Sequence, residues 1–356
     1  MRKKIISVLF LCFFLFSIVT PTWASTAKEE YKNYINQQYD YTTIDDVSLK
    51  GKINIDTFAL KTKKSDPQLD LFLSALNKAT LDYDISMDFK NHNAKFLLAF
   101  KNDMYNLPLH FFITKDQVLV DLDSIKKIVS YFDPVVKDKF SKIPSTKKYV
   151  ILVDKTDAGV SRMWDDMGKA LKDAQPDPKA LEALKELNRL FIDSLPDGIV
   201  KKFDDQMIGL EIKQENLIPI LSSLIEIVKE NPDKVKQYVK AMSGDPTKNF
   251  AIEKKEDLSP EKVSEALQKL SNEMNKSFYL NLLQMGGKYI NKNQTEGFFT
   301  IDLNILEDKN RDFSGLIRVK SENSSKWNTP DREGLPQATN SNCITTEELD
   351  RLVSPK

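Results

Sequence analysis

LDYDISMDFKNHNAKFLLAFKNDMYNLPLHFFITKDQVLVDL, running from Leu81 to Leu122, decides the fold. In its first nine residues Leu81, Tyr83, Ile85, Met87 and Phe89 share one parity, and Asp82, Asp84, Ser86 and Asp88 share the other. A strand throws successive side chains to opposite faces, so this is one strand with an apolar face and a wet face. Three more strands follow in phase, through Phe96, Leu98 and Phe100, through Leu109, Phe111 and Ile113, and through Val118, Val120 and Leu122. The turns between them are short and polar: Asn91-His92-Asn93, Asn102 to Asn106, and Lys115-Asp116-Gln117. The stretch therefore predicts an antiparallel meander whose apolar side must be covered.

Upstream, Met1-Arg2-Lys3-Lys4 precedes an apolar run from Ile5 to Val19, and Thr22-Trp23-Ala24 places small residues before a cut after Ala24. This is the pattern of an export signal. The run is shorter than the roughly 20 residues of a spanning helix and is closed by Pro21. Leu11 before Cys12 does not make a lipobox. Loss of Arg2, Lys3 and Lys4 takes the basic count from 52 to 49 against 52 acids, a formal charge of −3. Such a balance gives no electrostatic footprint for nucleic acid. With Cys343 the one cysteine left beyond the signal, an intrachain disulfide is excluded, and about 330 residues must hold together through an apolar core.

Outward from the meander, Tyr31, Tyr34 and Ile35 predict an N-terminal helix, and Val47 to Ile55 a first strand, closed by the charged break Lys61 to Pro67. Asp123 is placed to cap a helix bearing Ile125, Ile128, Val129 and Phe132. Tyr149 to Val153 is a short apolar run that fits a buried strand. From Val160 to Ser194 the period changes to 3.6, with one stripe of Trp164, Met167 and Leu171 and another of Leu181, Leu184, Leu187, Leu190 and Phe191. A strand at Met207 to Ile212 leads into the most apolar helix of the chain, Leu217 to Val228, and a short helix is expected from Val235 to Met242. Strands return at Phe278 to Leu282, Gly286 to Ile290, Phe298 to Ile305 and Leu316 to Val319. Thr345-Thr346-Glu347-Glu348 reads as a capping box.

The expected organisation is a signal over 1–24, an N-terminal helix and link over 25–46, a first sheet-forming half over 47–155, a helical insertion over 156–206, a second sheet-forming half with helices over 207–321, and a polar C-terminal tail over 322–356, poorly packed over 322–344. The two halves form one domain or two intimately packed lobes, since no flexible linker parts them. The fold class is α+β: an antiparallel β-sheet covered by inserted amphipathic helices.

The search for chemistry is largely negative. His92 falls in a turn and His110 in a strand, without metal or triad spacing. No phosphate loop, Gly-x-Ser-x-Gly elbow or Cys-x-x-Cys occurs. Asp82, Asp84 and Asp88 lack the glycine and closing glutamate of a calcium loop and read as the solvated face of a strand, and Gly286-Gly287 reads as a bulge or turn. The chain is thus expected to be no enzyme, with no catalytic residue, metal or cofactor.

Phe112 to Leu122, Gly209-Leu210-Glu211-Ile212-Lys213 and Gly287 to Asn293, set in this order of helix, meander, inserted helices and returning strands, resemble the LolA/LppX-like superfamily of exported lipid-handling proteins. The chain differs from that layout in a longer helical middle, Val160 to Asp205, and in lacking a lipobox. The resemblance implies that the antiparallel β-sheet is curved and half-barrel-like, its concave apolar face closed by helices around a cavity for acyl chains. The lining would come from Tyr83, Ile85, Met87, Phe89, Phe96, Leu98 and Phe100, closed by Leu217, Leu221, Leu224 and Val228. The expected function is an exported, non-catalytic binding protein for a lipid or other amphiphile, secreted or in the cell envelope. The alternative is an envelope interaction or scaffold protein with a dry core, partnered by another envelope protein or a cell-wall polymer. Neither reading involves nucleic acid or a transmembrane span after signal cleavage.

Overall fold

A computed structural model of the chain describes residues 27–37, 45–62, 67–132, 139–153, 158–173, 178–203, 206–235, 260–307, 313–329, 335–336, 338–339 and 341–353. The expected export signal, the link after Gln37 and the continuation of a helix to Met242 lie outside the described residues. In chain order the elements are α1 (Ala27–Gln37), β1 (Asp46–Thr62), α2 (Pro67–Leu76), β2 (Ala79–Asp88), β3 (Asn93–Lys101), β4 (Asn106–Ile113), β5 (Val118–Asp121), α3 (Leu122–Phe132), β6 (Tyr149–Val153), α4 (Ala158–Asp173) and α5 (Pro178–Ser194). They continue with β7 (Val200–Lys202), β8 (Ile208–Ile212), α6 (Gln214–Glu230), α7 (Pro260–Ser277), β9 (Phe278–Asn291), β10 (Gln294–Ile305), β11 (Phe313–Trp327), β12 (Cys343–Thr345) and α8 (Thr346–Val353). The fold is α+β, with an open, largely antiparallel sheet of twelve strands in the order β12-β6-β5-β4-β3-β2-β1-β11-β10-β9-β8-β7.

Two compact units divide the chain. The first takes the described residues of Met1–Thr43, Asp56–Ser74 and Asp173–Glu322, and the second those of Ile44–Ile55, Ala75–Lys172 and Asn323–Lys356. The middle helices separate accordingly, α4 into the second unit and α5 into the first.

In the first unit the period-two pattern of β8, β9 and β10 sends Ile208, Leu210, Ile212, Met285, Leu283, Phe299 and Ile301 to one face, in register across the three strands. That face forms a core with Tyr31, Tyr34 and Ile35 of α1, Phe191 and Ile192 of α5, and Ile220 and Ile227 of α6. Full burial of each such side chain is worth about 1.5–3 kcal/mol, so this seam is the main stabiliser of the unit. Tyr34 fits because β9 carries Gly287 beneath it: a Cβ at that position would lie 2.5 Å from the Tyr34 hydroxyl and 2.1 Å from the Glu296 carbonyl oxygen. Ion pairs fasten α1 to its neighbours, Lys32 to Asp193 at 2.6 Å and also to Glu29, and Lys202 to Glu30 at 2.6 Å. The other face is polar. Lys201 pairs with Glu211 at 2.5 Å, Lys288 with Glu296 at 3.0 Å and Arg318 with Asp302 at 2.7 Å. One greasy face and one wet face is the usual division of an antiparallel sheet.

Several boundaries differ from expectation here. Phe278 to Leu282 and Gly286 to Ile290 are one strand, since the intervening Leu283 and Met285 are part of the core face. Its hairpin to β10 is tight, with the Asn293 N–H donating to Asn291 Oδ1 at 2.9 Å. β1 runs past Ile55 to Thr62, taking in the first two residues of the expected charged break, and Gly315 of β11, at φ +146, allows that strand to press against Ala59.

In the second unit the meander pairs as its alternation predicts, β2 with β3, β3 with β4 and β4 with β5, and Asp46–Ile55 of β1 adds to β2. α3 begins two residues earlier than a cap at Asp123 would set, so Asp123 lies inside the helix. The cap is Asp121, whose Oδ2 accepts the Ser124 N–H at 2.8 Å and the Ser124 hydroxyl at 2.9 Å. The acidic ladder is a solvated face only at Asp82, whose pair with Lys101 is exposed. Ser86 and Asp88 are buried, the Ser48 and Ser86 hydroxyls share a hydrogen bond of 2.9 Å, and Asp84 lies 3.0 Å from Lys50 and 3.6 Å from the buried Lys95. Alternation revealed which residues share that face but not that lysines from the neighbouring strands meet the carboxylates there.

The segment read as a tail from 322 is partly structured. β11 continues to Trp327, and β12 pairs in parallel with β6, burying Cys343 and Ile344. Cys343 packs with Phe112 and Leu119, and burial pushes its thiol up, only partly offset by a backbone hydrogen bond at Thr339 and the Lys147 charge. The capping box of α8 forms reciprocally, with the Thr345 N–H donating to Glu348 Oε2 and the Glu348 N–H to Thr345 Oγ1, both at 3.2 Å.

Candidate functional site

Register places the apolar side chains of the second unit in four rows across β1, β2, β3 and β4. They are Ile53-Leu81-Phe100-Leu107, Gly51-Tyr83-Leu98-Leu109, Leu49-Ile85-Phe96-Phe111 and Val47-Met87-Ala94-Ile113. Successive rows are about 6.7 Å apart along the strands and neighbours within a row about 4.8 Å apart. The fourth row packs in part against α4. Ala94 is buried with Val160 and Trp164 of α4, and Met87, Phe89, Phe96 and Ile113 pack against the same cluster. Trp164 is fixed there by donating Nε1–H to the Thr114 carbonyl at 2.9 Å, with the His92 ring stacked on it at 5.6 Å and Phe89 edge-on at 6.4 Å. Phe96 in turn stacks on Phe111 at 4.4 Å, with the rings 5° from parallel.

The first two rows are different. Ile53, Leu81, Phe100, Leu107, Tyr83 and Leu98 are all only half-buried, and Leu109 is 38% exposed. They make a contiguous apolar strip, interrupted at Gly51, which has no side chain to fill the place beside Tyr83. Past the first row, Tyr105 meets Tyr131 of α3 edge-on at 5.7 Å, and Tyr131 is itself 45% exposed. A run of partly open apolar side chains is where an apolar ligand would gain contact. Its chemistry is mainly burial and aromatic contact, with the Tyr83 hydroxyl the polar group of the two rows.

Of the sequence-predicted lining, Tyr83, Leu98 and Phe100 lie in the first two rows and Ile85 and Phe96 in the third, while Met87, Phe89 and Phe96 pack against the Trp164 cluster. Leu217, Leu221, Leu224 and Val228 belong to α6 of the first unit, where Leu217 and Leu224 pack on the core beneath that helix. Leu107 and Leu109 continue the strip onto β4 and were not among the expected lining. Their parity with Phe111 was the available signal, though Pro108 and His110 between them obscure it. Among the described residues no three His, Cys, Asp or Glu side chains are grouped to hold a metal ion, and no helix is long and apolar enough to cross a membrane.

No family model, curated protein or solved structure matches this chain.

Proposed function

We propose that the chain is an exported, non-catalytic binding protein that holds the acyl chain of a lipid, or another amphiphile, against the half-exposed strip of β2, β3 and β4. The observation that carries this reading is the strip itself: Tyr83, Leu98 and Leu109 in one row and Leu81, Phe100 and Leu107 in the next stay partly open, outside the cluster that α4 forms over the far end of the same face at Ala94 and Phe96. Binding there is driven by removing chain methylenes from water at about 0.8 kcal/mol each, and needs no catalytic group. Closure of the strip by amphipathic helices, export by the segment before Ala24, and kinship with the LolA/LppX-like superfamily belong to the same proposal. The alternative, an envelope interaction or scaffold protein with no small-molecule ligand, draws support from the filled core of the first unit.

Titration of the full chain with 1-anilinonaphthalene-8-sulfonate separates the two. The binding reading expects a saturable fluorescence rise, reversed by added myristate and lost in Leu98→Asp. A rise that does not saturate, or that is unchanged in Leu98→Asp, would favour the scaffold reading.

A further inference from the structure

The amphiphile reading gives no role to a concave feature of the first unit. A cleft of about 320 Å³ opens where the start of α6, the end of α7 and the first residues of β9 meet. Its apolar side comes from Leu217 and Met274, its polar side from Gln214, Glu215 and Asn275, and Tyr279 lines it while remaining 49% exposed. The polar side is organised. Gln214 donates Nε2–H to Asn275 Oδ1 at 2.7 Å and accepts the Leu280 N–H on Oε1 at 2.9 Å, which fixes both amides. Because that bond uses the Asn275 oxygen, the two donors on its nitrogen are left, among the described residues, for another partner.

The lining discriminates between ligand classes. An acyl chain would strip water from Glu215 and Asn275 without replacing their hydrogen bonds, a cost that apolar contact with one side of the cleft does not offset. A phosphate or carboxylate would meet the Glu215 carboxylate. A sugar ring suits both sides, since a pyranose presents a face of C–H bonds to an aromatic ring and an edge of hydroxyls to amide and carboxylate groups. The volume is at the small end for ligand sites, about 300–1,000 Å³, and suits one or two rings. We infer that this cleft binds a saccharide, with Tyr279 as the stacking platform and Asn275 and Glu215 as the hydroxyl partners. The inference is independent of the amphiphile reading and involves the other unit.

Saturation-transfer NMR on the full chain, with N-acetylglucosamine tetramer and with maltotetraose as probes, tests it. At least one probe shows transfer to its ring protons with saturation at millimolar concentration. Tyr279→Ala and Asn275→Ala each weaken binding by about tenfold or more, Tyr279→Trp retains it, and Leu98→Asp, at the apolar strip, leaves it unchanged. Because Tyr279 and Asn275 are both exposed, these variants keep the fold, which the far-ultraviolet spectrum verifies. Absence of transfer to both sugars up to about 10 mM, or transfer undiminished in Tyr279→Ala, overturns the inference, and anilinonaphthalene uptake by the same sample reports the amphiphile site separately.

Discussion

Leu98→Ala and Leu119→Ala should produce opposite patterns. Leu98 is half-buried in the second row, between Tyr83 and Leu109, whereas Leu119 is fully buried on the other face of the same sheet, against Phe112 and Cys343. Each substitution removes three side-chain carbons. At Leu98 those carbons would contribute about 2.4 kcal/mol if a bound chain covered them completely. With the side chain already about two-thirds covered by its neighbours, at most about 0.9 kcal/mol is lost, an affinity up to about fourfold weaker. Its cost in folding falls below the about 2–5 kcal/mol of a buried Leu→Ala change, because the site is open and leaves no sealed cavity. Leu119→Ala leaves such a cavity and bears that full cost, but touches nothing on the apolar strip. Calorimetric titration with myristate, alongside urea denaturation of each variant, reads both quantities. Unaltered affinity in Leu98→Ala, or an equal loss in Leu119→Ala measured where that variant is fully folded, would refute the placement of the site.

Other consequences concern the first unit. Gly287→Ala puts a methyl against the Glu296 carbonyl and the Tyr34 hydroxyl, so it should destabilise by about 1–3 kcal/mol through overpacking; adding Tyr34→Phe should restore only part of the loss, as thermal melts would reveal. Burial alone would lower the Lys32 ammonium, but hydrogen bonds to Asp193 and Glu29 outweigh it and hold the group above the ordinary lysine value of 10.5. Its folded-state pKa being raised, the stability it adds is complete below pH 10.5 and is lost as pH rises through the folded value, and Lys32→Met should flatten that alkaline limb. Glu211 has the opposite sign: hydrogen bonds from Lys201 and Gln284 hold it below 4.5, so its contribution is present above pH 4.5 and disappears as pH falls through the folded value. Glu211→Gln should remove that part of the acid transition in a denaturation series.

Period-two alternation from Leu81 to Leu122 was enough to read the order and pairing of β2, β3, β4 and β5, because a strand with one buried face tolerates no slip of register. Tyr31, Tyr34 and Ile35 likewise identified the inner face of α1. What local pattern could not supply was the neighbour of each face. Lys95 looks like an ordinary surface lysine until β2 brings Asp84 beside it, and Cys343 sits in a polar stretch yet is buried because β12 pairs with β6. β7 was missed: Val200-Lys201-Lys202 is too short to show a period, and it is a strand by virtue of pairing with Gly209 and its neighbours on β8. At the candidate site the strand residues were legible and the helix residues were not, since the apolar face of α6 could equally meet any exposed sheet face, and Leu217 and Leu224 in fact pack on the core of their own unit.

Native mass spectrometry of the protein purified from its own cells, with organic extraction of whatever travels with it, bears most directly on the central claim. The account predicts a stoichiometric adduct with the mass of a lipid or other amphiphile, absent from Leu98→Asp although that variant keeps its fold. A bare polypeptide mass, from a protein that also takes up no added myristate, would contradict it.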